Sequence, residues 1–388
     1  MTMGPLLDQY PNRGLRFVGG DGASLEASDG RRYLDLMTNY GVSIFGYRHP
    51  AITAALSAQI EALPTLHGSF GSDVRVKASL ALARRLPMET PAVCWLNSGT
   101  EAIEAALKFA AVATGKKRFV ACRGGYHGKT LGALSATDSP RYRAPFEPLL
   151  WDFAHVAYGD LAAISGAIDD RTAAIVLEPI QGEAGIRVPP PGYLREVRRL
   201  ATEASVLLVV DEIQSGCGRT GRFLAVDHEG VSPDIVCLGK GLAGGIPVGV
   251  TAVTPVVAAA IPRGVHTSTF GGNPLACAGA LAVLALLSVE LLESVGTLGE
   301  RFMARLHEAA PSSAEVRGMG LMVGVQVGAR RDEFLRGLQR EGILAIPAGE
   351  DVVRFLPPYI VRPDELDAAA EAFGRVAASM AGTERIIS

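Results

Sequence analysis

A carboxylate and a lysine at the ends of two apolar runs are the residues best suited to chemistry in this chain. Asp211 directly follows the apolar residues 207–210, and Lys240 comes two positions after a second apolar run, residues 235–238. If both runs are neighbouring buried strands, the two side chains meet at one edge of a sheet. A purely structural ion pair between Asp211 and Lys240 is the alternative interpretation.

The requirements of one cofactor match this pair. A lysine amine forms a Schiff base with an aldehyde, and a carboxylate keeps a pyridine nitrogen protonated. Pyridoxal phosphate needs both groups. We therefore expect an enzyme that uses this cofactor, with an aminotransferase as the first hypothesis.

A candidate phosphate site lies where an apolar run, residues 93–96, gives way to a helical pattern. The free N–H groups and the dipole at a helix start attract anions. Ser98, Gly99 and Thr100 are therefore candidates to hold a phosphate. Taken alone, an ordinary Ser or Thr N-cap would explain this segment equally well.

Three further residues stand at predicted ligand-facing positions. Tyr126, in a glycine-rich loop, is suited to stack on a flat ring, although a flexible turn is the alternative. Glu183 follows the predicted strand at residues 173–177, at a strand end of the kind that borders a ligand crevice. Arg354 has a planar guanidinium suited to carboxylates. Taken alone, Glu183 and Arg354 would more often be surface charges.

Composition excludes several classes of protein. The 388 residues predict two or three domains, and a net charge of −3 argues against a nucleic-acid binder. Five widely spaced cysteines without a Cys-x-x-Cys pair favour a reducing cytoplasm. The histidines lack the spacing of metal ligands, so we expect no metal. The first ten residues do not resemble a signal peptide, and no apolar stretch is suited to span a membrane.

Apolar runs and helical patterns alternate along the middle of the chain, which predicts a mixed or parallel sheet with helices on both faces. The predicted strands are residues 118–121, 173–177, 206–210 and 235–238. The predicted helices are residues 51–63, 98–113 and 194–203, with one or two more over 275–309 and a last one over 363–380. Residues 12–36 have the turn signals of a small hairpin or meander.

Taken in order, five motifs resemble those of the class III pyridoxal-phosphate aminotransferases of fold type I. They are NSGTEA at 97–102, YHGKTLGALS at 126–135, EPIQGEAG at 178–185, DEIQSGCGRTG at 211–221 and TFGGNPLA at 269–276. The resemblance runs from about residue 10 to residue 373. It implies an α/β protein with a mixed, mostly parallel seven-stranded sheet between helices. A smaller α+β domain built from both termini would complete it, with boundaries at 1–47, 48–277 and 278–388.

The resemblance also implies roles around the cofactor ring. Lys240 would form the Schiff base and move a proton between the substrate and cofactor carbons. Asp211 would pair with the pyridine nitrogen, Gln214 would contact the phenolic oxygen, and Tyr126 would stack on the ring. Among these, Lys240 and Asp211 would be the catalytic residues.

For the phosphate, the resemblance implies a site shared between two subunits. Gly99 and Thr100, with Ser98, would bind it from one chain. Thr269 would reach the phosphate of the neighbouring subunit. The active unit would therefore be a homodimer.

For the substrates, the resemblance implies a switch between two binding modes. Arg354 would bind the α-carboxylate of glutamate or 2-oxoglutarate, and Glu183 would pair with Arg354 when a terminal amine is bound instead. Tyr40 matches a position that contacts the far carboxylate in ornithine aminotransferases. Lys129 stands where the acetylornithine, ornithine and carrier-protein-linked lysine aminotransferases usually have arginine. A lysine at this position occurs in putrescine-type aminotransferases.

Within the class, residues 39–42 and 315–324 most resemble the acetylornithine, ornithine and carrier-protein-linked lysine aminotransferases. An ω-aminotransferase acting on a basic amino acid derivative is therefore expected, and a small acidic carrier protein is a candidate partner. A putrescine or diamine aminotransferase is the alternative that Lys129 suggests. A pyridoxal-phosphate aminomutase or racemase and a non-catalytic binding module are the remaining hypotheses.

Overall fold

A computed structural model describes residues 5–387. Its strands are β1 (Phe17–Asp21), β2 (Ser24–Ala27), β3 (Arg32–Asp35), β4 (Ala92–Leu96), β5 (Arg118–Cys122), β6 (Asp152–Val156), β7 (Thr172–Leu177), β8 (Leu207–Asp211), β9 (Ile235–Leu238), β10 (Gly249–Val253), β11 (Glu315–Met319), β12 (Met322–Gln326), β13 (Ile343–Leu344), β14 (Ile346–Ala348) and β15 (Val352–Phe355). Its helices are α1 (Thr38–Gly41), α2 (Pro50–Ala62), α3 (Asp73–Ala83), α4 (Gly99–Thr114), α5 (Leu131–Ala136), α6 (Pro140–Arg143), α7 (Leu161–Ala167), α8 (Tyr193–Glu203), α9 (Pro255–Ala260), α10 (Pro274–Leu286), α11 (Val289–Ala309), α12 (Arg331–Arg340) and α13 (Pro363–Ile387).

The largest sheet has seven strands in the order β4-β10-β9-β8-β7-β5-β6. Strand β10 is antiparallel to both of its neighbours, and the other pairs are parallel. All residues of β7 and β9 are buried, as expected for strands covered on both faces, which is why they occur as continuous apolar runs. The predicted fold class, with its mostly parallel seven-stranded sheet, is confirmed.

Two four-stranded sheets lie outside this core. One has the order β1-β2-β3-β13, in which β13 from the C-terminal part pairs in parallel with β3. The other has the order β11-β12-β15-β14 and carries Arg354 on β15. Segments from both ends of the chain therefore meet in one sheet. The domain boundaries at residues 47 and 277 stay predictions.

The region predicted as one or two helices forms two, because α10 and α11 meet at an angle of 75°. Together they have the length and composition of a broken membrane span, but within residues 5–387 no single helix does. Most of α10 is buried, and it packs against α2 and α3. Helix α3 and strand β10 were not predicted, because neither segment has a clear periodic pattern.

Candidate active site

Strands β8 and β9 place the two key side chains at one edge of the central sheet. They are parallel neighbours, and Asp211 pairs with Cys237 in their register. Lys240 follows β9 in a left-handed conformation with φ of 41° and begins a short 3-10 turn. Both residues line a pocket of about 290 Å³, the inner cavity, which is also lined by Thr100, Tyr126, Lys129, Glu178, Glu183 and Gln214.

The environment of Lys240 favours the neutral amine. Burial lowers the pKa of its ammonium, and the negative charges of Asp211 and Glu183 only partly oppose that shift. No ion pair within the described residues joins Lys240 to Asp211, so the interpretation of a structural pair has no support. An amine with a lowered pKa is more often in the form that attacks a carbonyl carbon.

Asp211 is held by a histidine that was not identified from the sequence. The Nδ1 atom of His127 lies 2.8 Å from Oδ2 of Asp211, and both side chains are buried. Burial alone would lower the pKa of His127, but the hydrogen bond to Asp211 and its charge raise it above the ordinary value. The backbone N–H of Ile213 donates to Oδ1 of Asp211 at 3.1 Å. These contacts fix the carboxylate at the cavity floor.

Glu178 is a second buried acid that the sequence analysis did not select. It accepts hydrogen bonds from the backbone N–H groups of Tyr126 at 2.9 Å and Gly182 at 3.1 Å. Burial raises the pKa of its carboxyl to about 7. Its signal in the sequence is the same as that of Asp211, namely an acid directly after an apolar strand.

The N-terminus of α4 forms one wall of the inner cavity. The Ser98 side chain caps the helix by accepting the N–H of Glu101 at 3.3 Å, so the hydroxyl is engaged within the protein. A Cβ atom on Gly128 would lie 2.2 Å from Oγ1 of Thr100, and one on Gly99 would meet Ile213 at 2.9 Å. Only glycine therefore allows these backbone segments to approach so closely.

Arg354 is fully buried and forms an ion pair with Glu183, the residue predicted to give way to a substrate carboxylate. Its Nη2 atom lies 2.8 Å from Oε1 of Glu183. Its Nη1 atom donates to Oε1 of Gln214 at 3.0 Å, while Gln214 also lines the inner cavity, so its predicted contact with the phenolic oxygen stays a prediction. The ring of Tyr40 lies 5.4 Å from the guanidinium carbon of Arg354.

A second pocket of about 590 Å³, the outer cavity, adjoins the first and shares Tyr126 and Glu183 with it. Its other lining residues include Tyr40, Asp138, Arg141, Tyr142, Arg331 and Glu350. The exposed Lys129 stands at the junction, with its Nζ atom 4.4 Å from the centre of the Tyr142 ring.

Two of the predicted cofactor residues, Ser98 and Thr269, are not among those that line the inner cavity, and Thr269 lies apart from the others. It is exposed on the turn before α10 and lines neither cavity. Its neighbour Phe270 is 61% exposed. The position is compatible with a contact to another subunit.

The inner cavity fits pyridoxal phosphate. It offers an amine of lowered pKa, a fixed carboxylate, an aromatic ring and a glycine-lined helix start, the groups that this cofactor needs. Among residues 5–387, no cluster of three or more His, Cys, Asp or Glu side chains could hold a metal ion. The role of each residue toward the cofactor stays a prediction.

Comparison with known proteins gives consistent matches. The family model described as aminotransferase class-III matches residues 9–377. An acetylornithine aminotransferase of Methanopyrus kandleri is 45% identical over 366 residues, which cover 94% of each chain. A LysW-aminoadipate semialdehyde transaminase of Deinococcus radiodurans is 39% identical over 374 residues, 95% of this chain and 87% of that one.

A solved structure agrees with these matches. The ornithine aminotransferase from Toxoplasma gondii, whose structure has partial occupancy of PLP at the active site, is 33% identical with a TM-score of 0.94. The match covers 98% of this chain and 93% of that one. The family, the fold and the cofactor predicted from the sequence motifs are thus confirmed. The chain belongs to the class-III aminotransferases, enzymes that work with pyridoxal phosphate.

Proposed function

We propose that this aminotransferase moves an amino group between glutamate or 2-oxoglutarate and the terminal amine or aldehyde of a basic amino acid derivative. Acetylornithine, ornithine and carrier-linked lysine are the candidate donors. The names of the relatives support this choice, since they include an acetylornithine aminotransferase and a LysW-aminoadipate semialdehyde transaminase. A role in amino-acid biosynthesis belongs to the same proposal.

The ion pair of the buried Arg354 with the half-buried Glu183 is the observation that carries the proposal. A buried guanidinium without a carboxylate partner is costly, and Glu183 supplies that partner at 2.8 Å. A terminal amine brings no carboxylate to this end, so the pair stays closed. Glutamate brings its own α-carboxylate, which replaces Glu183 on Arg354. One site can therefore accept two substrates of different charge.

The chain's own groups divide the work of the reaction. Bound pyridoxal phosphate supplies an electron sink for the carbon that loses its proton. Lys240 would supply the amine that holds the cofactor aldehyde and would carry that proton. Asp211, held by His127, would face the ring nitrogen, and Tyr126 would cover one ring face.

A homodimer is part of the proposal, and the exposure of Thr269 outside both cavities supports it. Arg75 donates to the carbonyl of Gly272 at 2.6 Å and to that of Phe70 at 3.1 Å, which ties two exposed segments together. Phe70 and Phe270 are both largely exposed on these segments. Exposed aromatic residues on one face favour a protein partner. A molar mass of one chain in light scattering would contradict the dimer.

A diamine aminotransferase is the second candidate, because a lysine stands at position 129 instead of the arginine that the sequence resemblance implies. A single ammonium recognises a carboxylate less specifically than a guanidinium does. An acidic carrier protein is a further candidate partner through the LysW-linked relative. A cytoplasmic location fits the five cysteines, all of which are free.

The first experiment is to titrate the purified holoenzyme with glutamate, acetylornithine, ornithine, lysine, putrescine and alanine. Each accepted donor bleaches the visible absorbance of the bound cofactor. We expect glutamate and at least one terminal amine with a remote carboxylate to do so. Bleaching by alanine alone would contradict the proposal, and bleaching by putrescine without acetylornithine would favour the diamine candidate.

A further inference from the structure

We propose that Tyr142 is a positioning residue for substrate selection, which holds the Lys129 ammonium where it accepts the remote carboxylate of the amino donor. The inference rests on the proposed function. It narrows the donors to terminal amines that carry an acid at the far end, and it disfavours plain diamines.

The contact between Lys129 and Tyr142 supplies the geometry. Lys129 lines the inner cavity, Tyr142 lines the outer one, and the ammonium lies 4.4 Å from the ring centre. Lys129 makes no ion pair with any described residue, so the ring is its principal partner. A lysine side chain has four flexible bonds, and a cation–π contact restricts the ammonium without using its N–H donors. Those donors stay free for a carboxylate.

Tyr142 is itself anchored to the catalytic floor. It is half-buried on the one-turn helix α6, and its ring meets the Tyr126 ring edge to face at 6.0 Å and 74°. The backbone N–H of Tyr126 is in turn held by Glu178. The Lys129 ammonium is thereby linked through packed groups to Tyr126 and Glu178, which line the inner cavity, as selection by substrate length requires.

Compared with the charged residues of the outer cavity, Lys129 is the best-placed receptor for a remote carboxylate of the donor. Arg331 is paired with Asp332 and donates to the Gly349 carbonyl, and Asp138 accepts the N–H of Gly124. Arg141 lines the outer cavity, is exposed and makes no ion pair within the described residues, so it is the alternative receptor. A diamine would bring a second ammonium toward Lys129, whereas a carboxylate is attracted by it.

The test compares kcat/KM for acetylornithine and putrescine in five holoenzymes, namely wild type, Tyr142→Leu, Tyr142→Phe, Lys129→Met and the double variant Lys129→Met/Tyr142→Leu. We expect Tyr142→Leu to lower the acetylornithine value about 3- to 5-fold and to leave putrescine unchanged or improved. Tyr142→Phe keeps the ring face and is expected to stay within about 2-fold. In a Lys129→Met background, Tyr142→Leu should have no further effect, because the two residues act as one unit.

A binding readout keeps the inference testable whatever the true donor is. The spectral dissociation constant of the holoenzyme for glutarate, which has two carboxylates, should rise in Tyr142→Leu and Lys129→Met. The constant for propionate, which has one, should not change. If no terminal amine bleached the cofactor absorbance of the wild type, the proposed function would fail. The glutarate and propionate constants would still decide the role of Tyr142.

Three outcomes would overturn the inference. Equal losses for acetylornithine and putrescine, or for glutarate and propionate, would make Tyr142 a scaffold residue. Additive effects of Tyr142→Leu and Lys129→Met would separate the two residues. A loss of glutarate binding in Arg141→Met but not in Lys129→Met would assign the receptor to Arg141.

Discussion

The inner and outer cavities adjoin, yet their charged groups are arranged by different rules. At the floor of the inner cavity, Asp211, His127 and Glu178 are buried, and each has partners within hydrogen-bonding distance. At the mouth of the site, Lys129 at the junction of the two cavities and Arg141 of the outer cavity are exposed, and a ring face is the main partner of Lys129.

This difference separates catalysis from selection. A buried charge that loses its partner costs about 1–3 kcal/mol or more, so the floor tolerates few changes. An exposed charge is screened by water and salt, and its contacts contribute about 0–1 kcal/mol. Substrate preference can therefore change at the mouth of the site while the chemistry at the floor stays the same.

The largest effect is expected from Lys240→Ala. The variant has no amine for the cofactor or the proton, so turnover should fall on the order of 10⁴-fold or more. The visible absorbance of the bound cofactor should disappear as well. Lys117→Ala, at an exposed lysine, is the matched control and should behave as wild type. Substantial turnover by Lys240→Ala would refute the role assigned to Lys240.

Arg354→Lys should separate the two half-reactions. A lysine cannot reproduce the two-point contact of a guanidinium, so kcat/KM for glutamate should fall about 100-fold. Terminal amines do not present a carboxylate to Arg354 and should be affected much less. Stopped-flow measurement of the two half-reactions checks this, and equal losses in both would argue against the exchange with Glu183.

His127→Leu should impair the reaction without removing a group that touches the substrate. Asp211 would lose its partner at 2.8 Å, and kcat should fall about 10- to 100-fold. His127→Asn keeps a donor near the position of Nδ1 and should recover part of the loss. Steady-state kinetics of the two variants decides the matter. Identical losses of kcat in the two variants would mean that His127 acts through packing rather than through its hydrogen bond to Asp211.

The smallest effect concerns Glu178 and pH. Its pKa is raised to about 7 in the folded protein, so its contribution to stability is fully present below the unfolded pKa near 4.5 and is lost as pH rises through 7. Wild type should therefore lose about 1–3 kcal/mol relative to Glu178→Gln between pH 5 and pH 8.

Denaturant unfolding of both proteins at several pH values measures this difference in unfolding free energy. Glu89→Gln, at an exposed acid, is the control and should run parallel to wild type. A difference between wild type and Glu178→Gln that does not vary with pH would show that Glu178 is already ionised at pH 5.

The floor of the site could be predicted because its signals are local. Strands buried on both faces must be continuous apolar runs, and a charge directly after such a run marks the strand end where ligands bind. Asp211 carried that signal directly, and Lys240 carried it one glycine further on. Glu178 carries it too, and applying the same rule to every strand would have found it.

Contacts between distant loops could not be predicted. His127 lies 84 residues before Asp211, in a loop without regular periodicity, and no local pattern specifies their contact. The motif also gave no sign that the amide oxygen of Gln214 accepts a hydrogen bond from Arg354, 140 residues further along the chain. The position of Lys129 over Tyr142 likewise depends on how the loop before α5 packs beside α6.

The sequence by itself therefore determined the family, the cofactor and the strand ends that carry the lysine and the carboxylate, because these follow from short-range apolar patterns and motifs. Only the tertiary structure decided which partner each charged group has. The reason is that these contacts depend on burial and packing between segments far apart in the chain. The ion pair of Glu183 with Arg354 and the cation–π contact of Lys129 with Tyr142 are examples.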